Sequence, residues 1–253
     1  MRRADAILEL AENANTHTPL GPQDERIAAG RYVLWMGRAD HPSWNVAQRF
    51  RLQAQDVEHV RDEIHAALRE RGRTGCTWEV ASSATPADLV DRLHALGLVD
   101  DSEPLAIGMA LTEPPQQAPP AGVSVRRVET AADARVAAEI AGIAFGIAEP
   151  VPAEVDPNGR FVRYLAYVDG EPVAQATASF SEYGATLFGG ATLPEARGRG
   201  AYRALVAARW EDAVARGTPA IVTQAGAQSR PILARLGFRE LCEIRILLDA
   251  FAR

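Results

Sequence analysis

The chain of 253 residues has no lysine, so every cationic side chain apart from histidine is an arginine. A phosphate loop of the Walker type needs a lysine to reach the terminal phosphates, and it is excluded. Cysteine is nearly absent as well. Cys76 and Cys242 lie far apart without metal-ligand spacing, so both read as small buried hydrophobes, with a reactive thiol as the alternative. All five histidines (His17, His41, His59, His65 and His94) precede residue 95, which leaves the second half without a base for Ser/His/Asp hydrolysis. His59 and His65 are six residues apart and do not share a helix face as an i, i+4 zinc pair would; they read as solvated helix residues. No metal site is expected.

Long apolar runs are also missing. None approaches the ~20 residues that span a bilayer, so no membrane partner is expected. Asp5, Glu9 and Glu12 interrupt the stretch after Met1-Arg2-Arg3, so no secretory signal is expected and a cytoplasmic address is the default. The net charge of −6 argues against a nucleic-acid partner, which calls for a basic face.

What is present is ordinary globular composition, 47% apolar and 24% charged, divided by one proline-rich run. Glu113-Pro114-Pro115-Gln116-Gln117-Ala118-Pro119-Pro120-Ala121-Gly122 reads as an extended linker over 114–122, because proline fixes φ and removes N–H donors. It separates a domain of residues 1–113 from one of residues 123–253. In the second, strands are expected at Val123–Val128, Phe161–Val168, Pro172–Phe180, Ala185–Thr192, Ala220–Thr223 and Glu240–Leu248. Helices are expected from Thr130 to Phe145, from Gly200 to about Arg216, and from Ser229 to Leu236, with Thr130 and Ser229 as caps. In the first, Arg31–Met36, Thr77–Ala81 and Pro104–Thr112 read as strands, and Asp56–Arg71 and Thr85–Leu96 as helices. Trp35, Trp44 and Trp78 read as core or, less simply, as pocket walls.

The two halves rhyme. Trp78-Glu79-Val80, Thr85-Pro86 and Leu96-Gly97-Leu98 follow the same order as Ile221-Val222-Thr223, Arg230-Pro231 and Leu236-Gly237-Phe238. Only the second half carries Arg197-Gly198-Arg199-Gly200-Ala201-Tyr202 between a strand and a helix. Glycines at a helix start let backbone N–H groups approach an anion, the helix dipole favours it, and Arg197, Arg199 and Arg203 add charge.

With these motifs, residues 123–250 resemble the GNAT N-acetyltransferases, whose signature is Q/R-x-x-G-x-G/A followed by a strand, a helix and Leu-Gly-Phe. The paired halves look like tandem GNAT proteins with a degenerate N-terminal copy. The resemblance implies an α+β fold, with a mixed, mostly antiparallel sheet flanked by helices in two similar halves. It implies acetyl-CoA as acyl donor, Ala191 and Thr192 along the pantetheine, and Arg197, Gly198, Arg199, Gly200, Ala201 and Tyr202 at the pyrophosphate. It further implies acetyl transfer to an amine of a small molecule or peptide by direct attack in a ternary complex. A homodimer is compatible with the sequence.

Two positions depart from the family pattern. Tyr202 stands where glycine or alanine is preferred, and Leu233 where a tyrosine commonly protonates the departing thiolate; the family's asparagine near that helix falls on Gly226. A non-catalytic acyl-CoA-binding module is therefore the alternative. For the reaction itself, a backbone N–H beside a bulge expected at Ala191–Leu193 would polarise the thioester carbonyl. Glu182 is the first base candidate, Glu149, Glu154 and Asp156 are candidates to attract a cationic amine, and Tyr183 and Tyr202 are replacement acids.

Overall fold

The computed structural model describes residues 2–21, 23–38, 40–148, 150 and 155–251. In chain order the elements begin with α1 (Arg3–Glu12), β1 (Glu25–Ala28), β2 (Val33–Met36), β3 (Asn45–Gln48), α2 (Val57–Arg69), β4 (Gly75–Ala81), α3 (Leu89–Ala95) and β5 (Val99–Leu111). They continue with β6 (Val123–Arg127), α4 (Ala131–Phe145), β7 (Phe161–Val168), β8 (Glu171–Phe180), β9 (Ala185–Thr192), α5 (Ala201–Ala215), β10 (Ile221–Ala225), α6 (Arg230–Arg235) and β11 (Arg239–Ala250).

The chain forms two compact units, neither contiguous in sequence. The C-terminal unit gathers Met1–Ile7, Ala110–Thr223 and Pro231–Arg239; the N-terminal unit gathers Leu8–Met109, Gln224–Arg230 and Glu240–Arg253.

In the C-terminal unit the strands lie in the order β10-β9-β8-β7-β6, antiparallel except for the parallel pair β9–β10. Local chemistry explains the elements. Asp169 and Gly170, both at positive φ, make the two-residue turn that lets β7 and β8 pair as a hairpin. Thr130 and Asp133 form a reciprocal capping box at the start of α4, and Gly146 closes it in the left-handed conformation. Ala134, Ala137 and Ile140 of α4 pack with Val128, Leu165 and Ala191. The proline-rich segment is tied down within this unit. Gln116 N–H donates to the Leu236 carbonyl (3.1 Å), and Arg203 donates to the Gln117 side chain (3.0 Å).

The N-terminal unit orders its strands β1-β2-β3-β4-β11-β5, so the last strand of the chain pairs antiparallel with β4 from Ile244↔Ala81 to Ala250↔Gly75. Its core is built on Val57, Val60, Ile64 and Leu68 of α2, one helical stripe against Leu34, Phe50, Trp78 and Leu247. Three elements were not anticipated: α1, β1 and β3. In β3 the apolar alternation is masked because Asn45 and Gln48 are fully buried, Asn45 donating to the Gly75 carbonyl and Gln48 to the Thr16 hydroxyl. The helix expected from Thr85 starts only at Leu89. Thr85 N–H donates to Phe50 O and its carbonyl accepts from Leu52 N–H, which holds it as a bridge partner of Arg51 instead.

Candidate functional site

At the end of β9 the chain makes a single 3₁₀ turn, Pro194–Ala196, and then enters α5 through Gly198 and Gly200. Both glycines hold positive φ, +79° and +86°, which side chains rarely tolerate. Gly200 is the N-cap of α5 and brings no side chain to the first-turn N–H groups of Ala201, Tyr202 and Arg203, which lack intrahelical partners. A Cβ on Gly198 would meet nothing within 4 Å, so the loop stands open there. At Gly200 a Cβ would strike Pro120 Cγ at 2.5 Å, placing the proline-rich segment along one flank of the helix entrance. Arg197 and Arg199 are exposed; Arg199 pairs with Asp169 of the β7–β8 turn. The loop residues Arg197, Gly198, Arg199, Gly200, Ala201 and Tyr202 thus share one helix entrance.

The strand leading to the loop is irregular in a way that opens a slot. β9 and β10 pair only at Ile221↔Ala185 and Val222↔Thr186. Beyond them the Thr223 hydroxyl donates to the Leu187 carbonyl (3.3 Å), and no further ladder rung forms in this unit. On its other side β9 bulges against β8. Gln175 faces Ala191 and Thr177 faces Phe188, so Gly189 and Gly190 together oppose Ala176. The Gln175 side-chain amide donates to the Gly189 carbonyl, and Gly189 is exposed at φ +55°. The bulge therefore lies upstream of the Ala191–Leu193 position expected from sequence, because the two consecutive glycines accept the bent backbone. Ala191 itself is buried on the α4 side, while Thr192 is half-buried.

Tyr202 turns its ring away from the loop. A Cβ on Gly190 would lie 2.7 Å from its Cε2, so the ring occupies the space that the missing side chain leaves. Its hydroxyl interacts with Arg209, and burial raises its pKa above the usual tyrosine value. Arg209 is 1% exposed. Its Nε donates to the Leu205 carbonyl (2.9 Å) and its Nη1 to the Thr177 carbonyl (3.3 Å), at the edge of the bulge. The acid one turn away, Asp212, is engaged by Arg127 and by the Tyr164 hydroxyl.

Other candidates fall elsewhere. Glu182 is exposed in the turn before β9, where it interacts with Tyr183. The seven residue steps of β9 separate it from the loop by roughly 23 Å at strand rise, so the fold does not bring Glu182 and the loop together. Asp156 is used structurally, its carboxylate accepting from the N–H groups of Asn158, Arg160 and Phe161. Glu149 and Glu154 lie outside the described residues. Leu233 is buried, so the position of the family tyrosine is filled by core. Ser229 does not cap α6 but donates to the Gly226 carbonyl (3.3 Å).

In the N-terminal unit, β3 and β4 also pair in parallel over two residues, Val46↔Thr77 and Ala47↔Trp78. There the chain beyond β3 turns at Arg49, whose φ is +61°, and Phe50 stacks on Trp78 with ring centroids 4.9 Å apart. The following helix opens on Asp56 and Glu58 without a glycine. His65 is buried rather than solvated, bonded to Asp249 (2.7 Å), which also accepts from the Trp78 indole (3.1 Å). Trp78 is fully buried and Trp35 nearly so, while Trp44 is partly exposed. Both thiols are buried; burial pushes Cys76 well above the usual thiol pKa and Cys242 up to about 12. Burial also raises Glu79 to about 7, against a hydrogen bond from Gln224, a perturbed carboxylate that strand alternation alone does not flag. Among the described residues no group of three or more His, Cys, Asp and Glu side chains is arranged to hold a metal ion, and no helix is long and apolar enough to cross a membrane.

No family model matches the chain, and no curated protein sequence does. Solved structures match its fold end to end. A GCN5-related N-acetyltransferase from Kribbella flavida aligns with a TM-score of 0.70 at 21% identity, covering 98% of this chain and 95% of that one. A GCN5-related N-acetyltransferase from Sphaerobacter thermophilus aligns at 0.61 and 15% identity, over 99% and 94%. A tandem GNAT protein from the clavulanic acid biosynthesis pathway aligns at 0.58 and 16% identity, over 99% and 95%. The chain therefore has the tandem GNAT fold, α+β with a mixed and mostly antiparallel sheet flanked by helices.

Proposed function

We propose that the protein is an acetyl-CoA-dependent N-acetyltransferase. The observation that carries this reading is the parting of β9 and β10 after two rungs, beside a glycine bulge and above an uncapped glycine helix entrance. Such a slot suits an extended thioester arm that ends in a diphosphate. Arg197, Gly198, Arg199, Gly200, Ala201 and Tyr202 would hold the pyrophosphate through main-chain amides and arginine charge. Gly189, Gly190, Ala191 and Thr192 would present backbone groups to the pantetheine. Acetyl-CoA supplies an activated thioester. An amine of a small molecule or peptide attacks it directly in a ternary complex, with approximation of the two reactants contributing much of the acceleration. The raised pKa of Cys242 argues against an acyl-cysteine route, since the thiolate is the nucleophile. In this reading the C-terminal unit, drawn mainly from residues 123–253 and including the proline-rich 114–122, binds acetyl-CoA, and the N-terminal unit, built on residues 1–113 with the last strand of the chain, is a degenerate copy, in a cytoplasmic protein compatible with a homodimer. Glu182, as the base, would act from the turn before β9, at the opposite end of that strand from the pyrophosphate loop.

A second reading has its own support. The buried Leu233 removes the customary thiolate acid, which favours a module that binds acyl-CoA without turning it over. Calorimetry with acetyl-CoA, followed by CoA-release assays across an amine panel, separates the two. Binding with amine-dependent release is the expected result. Binding without release would favour the module, and no binding would overturn both.

A further inference from the structure

We propose that Arg209 is a positioning residue for coenzyme A binding, acting through Tyr202 and the Thr177 carbonyl to hold the β9 bulge and the start of α5 in shape. This rests on the reading of Arg197–Tyr202 as the pyrophosphate seat.

Arg209 lies in the third turn of α5, almost wholly removed from water. A buried cation is costly unless a carboxylate or several acceptors compensate it. No carboxylate among the described residues forms an ion pair with it, since Asp212 is held by Arg127 and Tyr164. Nη2 has no hydrogen-bond partner within reach. A side chain chosen for stability alone would be apolar here. What the guanidinium does touch is specific to the site. It donates to the Leu205 carbonyl of its own helix and to the Thr177 carbonyl where β8 and β9 lose register, and its charge acts on the Tyr202 hydroxyl nearby.

These contacts work together. The bulge displaces Gly189 and Gly190 from the regular ladder, and Gln175 fixes Gly189 from one strand position while Arg209 fixes Thr177 two residues on. The Tyr202 ring then fills the space over Gly190, which keeps a bulky residue at the last loop position out of the loop itself. Without the guanidinium the Tyr202 hydroxyl loses the buried cation that acts on it, and the ring is released toward the helix entrance where the diphosphate would lie.

The test uses the full chain with Arg209→Met, Arg209→Lys and Tyr202→Phe. Coenzyme A is titrated by calorimetry and melting is followed in its absence. Arg209→Met fills similar volume without the uncompensated charge, so the expected melting temperature is equal to or above that of the parent, while affinity for coenzyme A falls tenfold or more. Arg209→Lys keeps charge but loses the planar fork and should fall severalfold; Tyr202→Phe should do the same. Unchanged affinity in Arg209→Met would overturn the inference, and so would a loss of affinity that merely follows a loss of folded protein. If Arg209→Met does not fold, unchanged affinity in Arg209→Lys overturns it instead. Absence of coenzyme A binding by the parent protein would sink the pyrophosphate seat itself, a different failure.

Discussion

Thr223 donates its hydroxyl to the Leu187 carbonyl where the β9–β10 ladder stops, so a side chain replaces the next backbone rung. The carbonyl belongs to a buried residue, and leaving such an acceptor unpaired costs about 1–3 kcal/mol. Thr223→Val should therefore lower the melting temperature by several degrees, read by a thermal melt. An unchanged melt would show that water replaces the hydroxyl.

Gly190 and Tyr202 should be coupled. Gly190→Ala places a methyl 2.7 Å from the Tyr202 ring and should weaken coenzyme A binding by pushing the ring aside. Tyr202→Ala alone opens a cavity, but combined with Gly190→Ala it should recover part of the loss. A double-mutant cycle on coenzyme A affinity measures this, and additive effects would refute the coupling.

Gly200 and Gly198 should respond differently to alanine. At Gly200 the strain of a positive φ adds to a clash with Pro120, whereas Gly198 suffers the strain alone. Gly200→Ala is expected to reduce coenzyme A affinity at least tenfold and to melt earlier than Gly198→Ala. Equal melting of the two variants would show that the proline-rich segment yields freely.

Glu79 should make stability depend on pH near neutrality. Between the ordinary glutamate value of 4.5 and about 7 the folded chain keeps a proton that the unfolded chain has released. Stability therefore falls as pH rises through that window and levels off above it. Glu79→Gln should flatten this part of the profile in urea melts taken from pH 5 to 8, and an unaltered slope would assign the dependence to another group.

One equivalent of coenzyme A per chain is the expected stoichiometry. The N-terminal counterpart of the β9–β10 opening has Phe50 stacked on Trp78, and its helix begins with acidic residues that repel phosphate. Calorimetry giving two sites would contradict this.

Much of the C-terminal architecture could be read locally. Asp169-Gly170, Thr130 with Asp133, and the glycines around Arg199 each act through neighbours in sequence, and they make a turn, a capping box and a helix entrance. The N-terminal unit was less legible. Asn45 and Gln48 look like loop residues until their buried partners, Gly75 and Thr16, are in place. His65 reads as a solvated helix residue because Asp249 stands 184 positions away.

The amino-acid sequence alone determined where the backbone could adopt left-handed geometry and where apolar stripes would bury, because conformational freedom and helical periodicity are properties of adjacent residues. The tertiary structure alone decided that β9 bulges at Gly189, that the Tyr202 ring packs against Gly190, and that Arg209 lies buried against Thr177. Those outcomes depend on strand register and on the desolvation of distant groups packed together, and neither is encoded in any short stretch of chain.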